Sequence, residues 1–219
     1  MTSSLERRSP ELRPPASRVI GVLISGRGTN LQALIDAIAE RRLDACIAVV
    51  ISNREAATGL QRAAAAGIET LVIDHRSFAS RHDFDAVVAQ ELRQRNVALV
   101  CLAGFMRLVG PPLLDAFPQA ILNIHPSLLP AFPGVDAQRQ ALEHGVKITG
   151  ATVHLVTGDL DGGPIVVQAS VPVRDDDTVE TLSARILVEE HRIYPEAVRI
   201  ILDGDWHLEG RRVIPRGRM

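Results

Sequence analysis

From Val19 onward, short unbroken apolar runs alternate with stretches whose apolar positions recur every three or four residues. The runs are VIGVLIS, CIAVVIS and ETLVID, and between them lie NLQALIDAIAE and AATGLQRAAAAG. This is the rhythm of strand, crossover helix and strand. Runs without polar alternation belong to a parallel sheet with helices on both faces, because every side chain then meets a covered surface. The pattern predicts a further helix from Phe78 to Asn96, then VALVCLAG as a central strand and ILNIH, 121–125, as the next.

After Pro126 the character changes. SLLPAFPG is too rich in proline for a regular element and reads as a loop, followed by a short helix near Ala137 to His144 and a strand at ITGATVHLV. GDLDGGP is a turn by composition, and Pro172 in IVVQASVPV marks an edge strand. A long amphipathic helix should begin at Thr178, with Pro195 as a point of bending, and DWHLEGRRVIP resembles a short hairpin. The expected class is α/β, Rossmann-like: a mostly parallel twisted sheet with an antiparallel C-terminal portion.

With 219 residues, 46% of them hydrophobic, the chain can bury one sizeable core. A single domain over 18–219 is expected, behind a Ser-, Pro- and Arg-rich stretch, 1–17, that reads as a disordered tail. The balance of 24 basic and 26 acidic residues gives a net charge of -2, which disfavours a nucleic-acid partner. No apolar run is long enough to span a membrane and the start lacks an apolar signal region, so a cytoplasmic protein is expected. Cys46 and Cys101 both lie in apolar runs and read as core residues.

Two segments could carry chemistry. Ser25-Gly26-Arg27-Gly28-Thr29-Asn30 joins the first strand to the first helix. Glycines, a hydroxyl and an amide at a helix N-terminus can hold a phosphate through unpaired backbone N–H groups and the positive end of the helix dipole. An ordinary glycine turn capped by Thr29 or Asn30 explains the same residues equally well. A dinucleotide site fits less well: Leu31 stands where the third glycine belongs, and Ser52-Asn53-Arg54 offers no carboxylate for a ribose, although Arg54 would suit NADP. No Gly-Lys-Ser/Thr follows the turn, against a P-loop.

The second segment is catalytic in character. Asn123 and His125 sit two apart on one strand, so alternation aims both side chains at the same face. Asp161, in Leu160-Asp161-Gly162-Gly163-Pro164, is presented from a constrained turn. Acyl transfer needs an oxyanion donor, a titratable donor and a proton shuttle, which these three residue types supply. Each also has a plain structural reading as a turn or hydrogen-bonding residue. His125, His144 and His154 lack a compact metal-ligand spacing, so no metal is expected.

The motifs SGRGTN, LAGFMRLV, ILNIHPSLLPAFPG and LDGGPIVVQ together resemble the folate-dependent phosphoribosylglycinamide formyltransferases, from Val19 to about Leu202. The resemblance implies the formyltransferase fold, with Asn123, His125 and Asp161 as catalytic residues. It implies Gly28, Thr29 and Asn30 at the substrate phosphate and Glu190 at the ribose hydroxyls. On the folate side it implies Arg81 at the glutamate tail and Met106, Arg107, Leu108 and Val109 lining the pterin pocket. The implied reaction takes the formyl group of 10-formyltetrahydrofolate to the amine of glycinamide ribonucleotide, in purine synthesis, without metal or covalent enzyme intermediate. A homodimer is one assembly this leaves open. The family often carries histidines in the loop after Pro130, where this chain has Asp136 and Gln138.

Relatives that formylate methionyl-tRNA share the Asn-x-His and later Asp, but usually extend into a further basic domain. Formyltetrahydrofolate hydrolases usually carry an extra N-terminal domain, for which 1–17 is too short. A non-catalytic phosphosugar sensor built on the same sheet is the remaining alternative, and it predicts binding without turnover.

Overall fold

The computed structural model describes residues 17–216, so the expected disordered tail lies, apart from Ser17, outside the described residues. The parallel part of the sheet comprises β1 (Val19–Ile24), β2 (Cys46–Ser52), β3 (Thr70–Val72), β4 (Leu99–Leu102) and β5 (Ile121–His125). β6 (Ile148–Leu155) and β7 (Ile165–Pro172) continue it antiparallel, and β8 (Trp206–Glu209) with β9 (Arg212–Pro215) forms the expected hairpin. The order across the nine strands is β3-β2-β1-β4-β5-β6-β7-β9-β8. The chain thus winds outward from β1 to β3, returns to β4 on the other side of β1, and leaves its switch point between those two strands.

Alternation along the parallel strands divides the core in two. Ile20, Val22, Ile24, Leu122 and Ile124 pack on the face covered by α1 (Thr29–Ala39) and α6 (Val179–Asp203). Leu23, Val49, Ile51, Val100, Leu102 and Ile121 pack on the opposite face with α3 (Arg81–Gln94) and α4 (Pro111–Ala116). Covered faces on both sides explain why these strands read as unbroken apolar runs.

Several elements differ from their sequence patterns. α2 (Gly59–Ala65) is shorter than AATGLQRAAAAG suggests, and α5 (Ala137–Glu143) matches its pattern closely. α4 has no periodic signature because it spans only six residues, two of them prolines placed where the first turn needs no N–H. Cys46 is exposed at the mouth of β2, and Cys101 alone is a core thiol, its pKa pushed up to about 12 by burial. β7 is not the last strand of the sheet, although its outer side meets β9 only at Ile165 and Arg212.

α6 runs unbroken through Pro195. Its N-terminus is fixed by a reciprocal cap: the Thr178 hydroxyl accepts from Thr181 N–H, and the Thr181 hydroxyl accepts from Thr178 N–H. Gly204 closes it in the left-handed region at φ 70°. Tyr194 is fully buried on this helix and donates its hydroxyl proton to Leu102 O at 2.9 Å, at the end of β4. No helix among the described residues is long and apolar enough to cross a membrane.

Candidate active site

Asn123 and His125 project from β5 on the face opposite Leu122 and Ile124, as strand alternation requires. There they meet the 156–164 turn and the 126–136 segment. The turn is built for close approach: a Cβ on Gly163 would lie 1.7 Å from Leu155 O, so only glycine lets the chain pass. Asp161 itself takes a left-handed conformation, φ 49°, which aspartate tolerates better than most residues. Its carboxylate accepts from Gly134 N–H at 2.8 Å and its side chain is only 9% exposed.

Four polar side chains then form a row. His125 Nδ1 lies 3.4 Å from Asp161 Oδ2, and Asp161 Oδ1 lies 3.6 Å from His154 Nε2. His154 donates from Nδ1 to Leu155 O at 3.0 Å, and its Nε2 accepts from the Asn123 amide at 3.2 Å. One N–H of Asn123 is thereby fixed and the second remains for another acceptor. His125 donates from Nε2 to Phe132 O at 2.8 Å, so offering that proton elsewhere requires the loop carbonyl to give way.

Burial pushes the pKa of His125 down; the Phe132 carbonyl and Asp161 carboxylate pull it back only in part, so the ring is neutral at neutral pH. For Asp161, burial pushes the carboxyl up. The nearby His154 ring, the Gly134 N–H and the His125 ring outweigh it, and the net shift is downward. The row thus places two imidazoles within 3.6 Å of one carboxylate, so a proton gained by either ring is stabilised by Asp161.

At the end of β1, Gly28 caps α1 at φ 68°, and a Cβ there would meet the Gly59 Cα at 2.7 Å. Neither Thr29 nor Asn30 is the cap, and no side chain caps the helix, so its first N–H groups stay open to an anion. The Asn30 side-chain amide is already engaged. It donates to Glu190 Oε2 at 2.6 Å, which leaves Asn30 Oδ1 buried without a partner. Burial holds the Glu190 carboxyl above the usual carboxylate range, against the Asn30 hydrogen bond and the charge of Arg27.

The segment after β4 carries the residues expected at the folate. Met106 and Leu108 are 66% and 53% exposed, Val109 is half-buried, and the Arg107 guanidinium lies 5.0 Å over the Phe84 ring. Arg81 is exposed at the start of α3, its Nε close to Gly110. Register places this segment beside the polar row, since Leu102 pairs with Asn123. Ser25 ties it to the glycine turn: Ser25 N–H donates to Gly104 O, and Met106 N–H donates to Ser25 Oγ at 2.8 Å.

Residues 18–198 match the formyl transferase family model. The chain is 48% identical over 185 residues to the human trifunctional purine biosynthetic protein adenosine-3, which covers 84% of this chain but 18% of that protein. Against the Escherichia coli phosphoribosylglycinamide formyltransferase it is 42% identical over 206 residues, covering 90% of this chain and 97% of that one. The chain belongs to the phosphoribosylglycinamide formyltransferase family. The crystal structure of glycinamide ribonucleotide transformylase 1 from Symbiobacterium toebii superposes with a TM-score of 0.90 at 59% identity, over 91% of this chain and 94% of that one.

Within this formyltransferase, the expected catalytic residues come together, as do Asn30 with Glu190 and Arg81 with the 106–110 segment. His154 is the member the sequence reading missed. A lone histidine in an apolar strand looks like a core residue, and its register opposite Asn123 depends on how β5 and β6 pair. Thr152, opposite His125, is a second: its hydroxyl donates to Ser127 O and accepts from Leu129 N–H, fixing the base of the 126–136 segment.

Proposed function

We propose that this chain transfers the formyl group of 10-formyltetrahydrofolate to the amine of glycinamide ribonucleotide, in purine synthesis. The observation that carries this reading is the polar row Asn123, His154, Asp161 and His125, on the same carboxyl edge of the parallel sheet as the uncapped N-terminus of α1. As the amine adds to the formyl carbon, the formyl oxygen gathers negative charge. The free N–H of Asn123 and the imidazole of His125 are the donors that meet it. Asp161 holds His125 or an ordered water and assists the passage of the proton from the attacking nitrogen to the departing folate nitrogen.

Gly28, Thr29 and Asn30 offer backbone N–H groups to the ribonucleotide phosphate, and Glu190, steadied by Asn30, accepts from the ribose hydroxyls. Met106, Arg107, Leu108 and Val109 line the pocket for the pterin, and Arg81 suits the carboxylates of the folate tail. On this reading 18–219 is one formyltransferase domain working in the cytoplasm, and no step requires a metal. The test is an assay of purified protein with glycinamide ribonucleotide and 10-formyltetrahydrofolate. Formylated ribonucleotide is the expected product. Binding without turnover would leave a sensor, and formate release without acceptor would leave a hydrolase.

A further inference from the structure

The 103–110 segment has no regular secondary structure and exposes much of its apolar surface, yet it must hold a fixed shape to line a ligand site. Two buried side chains from other elements pin its backbone. Ser25 Oγ takes Met106 N–H, and Asp85, on α3 and 1% exposed, takes Gly110 N–H at 2.6 Å through Oδ2. The second contact is so close that a Cβ on Gly110 would stand 2.7 Å from Asp85 Oδ2.

We propose that Asp85 is a positioning residue for the folate side of the site: it fixes the far end of the 106–110 segment and holds Arg81 and Arg107 toward one edge. This deepens the functional reading above and rests on it. Asp85 touches neither reacting group. The charges of two cations on different elements act on its carboxyl, Arg81 from its own helix and Arg107 from the segment, and Arg107 covers the ring of the adjacent Phe84. Arg107 Nε is buried without a hydrogen-bond partner, so the guanidinium is placed by the ring and by nearby negative charge. Burial raises the Asp85 carboxyl, against the Gly110 N–H and the charges of Arg81, Arg107 and His82, so its ionised form is costly to bury. A carboxylate kept there needs a reason, and holding the pterin-lining segment in register with Arg81 at the folate tail supplies one.

The experiment compares folate and ribonucleotide affinities, melting temperature and amide exchange in wild type, Asp85→Asn and Gly110→Ala. Asp85→Asn keeps the shape and removes the charge. Gly110→Ala attacks the same bond from the other side without backbone strain, since Gly110 has φ -101°. Both variants should weaken 10-formyltetrahydrofolate by about tenfold, the loss expected of a weakened hydrogen bond to a charged partner, and speed exchange at Gly110. Ribonucleotide affinity should stay within about twofold, and the double variant should be little worse than the stronger single one. Folate affinity within about twofold of wild type in a folded variant overturns the proposal, as do equal losses for both ligands, which mark general structural damage. If wild type binds the ribonucleotide but no folate, the functional reading of the segment fails first, and the proposal with it.

Discussion

The polar row and the glycine turn solve opposite problems. In the row, function would rest on side chains that hold one another: His125, Asp161, His154 and Asn123 each contact a neighbour, and all are largely removed from water. In the turn it would rest on backbone N–H groups left open by a helix that nothing caps. The row is therefore sensitive to the chemical identity of its members, and the turn to the space its glycines leave. Substitutions can separate the two.

The largest effect should come from Asp161→Asn. Asparagine tolerates φ 49° and keeps the size, so fold and ligand binding should survive while kcat falls by ~10²–10⁴-fold. An enzyme with near wild-type kcat would remove Asp161 from proton transfer. Gly28→Ala should come next. It meets both a left-handed backbone, costing roughly 1–2 kcal/mol, and the Gly59 Cα, so the ribonucleotide KM should rise at least about tenfold with kcat little changed. A fall in kcat without a KM change would show that the turn serves chemistry instead.

Glu190→Gln should raise the ribonucleotide KM by about fivefold to tenfold, and Asn30→Ala by less, because Asn30 reaches the ligand largely through Glu190. The double variant should match Glu190→Gln alone; additive losses would give Asn30 a contact of its own. The smallest effect is on stability. Folded His125 binds a proton less readily than its unfolded form, so it favours the fold above the unfolded pKa of about 6.5, and this is lost as pH falls below that value. His191, also lowered by burial, acts with the same sign. Melting curves between neutral and mildly acidic pH should show a drop that His125→Gln reduces.

The parallel strands were legible because burial on both faces writes itself into the chain as unbroken apolar runs. Asn123 and His125 were legible for the complementary reason: polar residues two apart in such a run must share a face. What stayed hidden depends on pairing between distant segments. Asn30 and Glu190 are 160 residues apart, and nothing local to either announces the hydrogen bond between them. His154 needed the register of β5 on β6, and α4 was too short to show a period. The site residues implied by family resemblance gather at the polar row, the glycine turn and the 106–110 segment, and the substitutions above test their roles.

Tyr194 and Glu190 stand one helical turn apart on α6, the first bonded to the end of β4 and the second to Asn30 in the first turn of α1. The helix therefore works as a ruler. Inserting one residue between them would advance Tyr194 by about 1.5 Å and rotate it by about 100°, so both marks could not stay in place. The spacing between the ribonucleotide turn and the strand ends would then be metered by a rigid rod rather than by flexible loops. Loops in this molecule can change length and sequence while that distance stays the same.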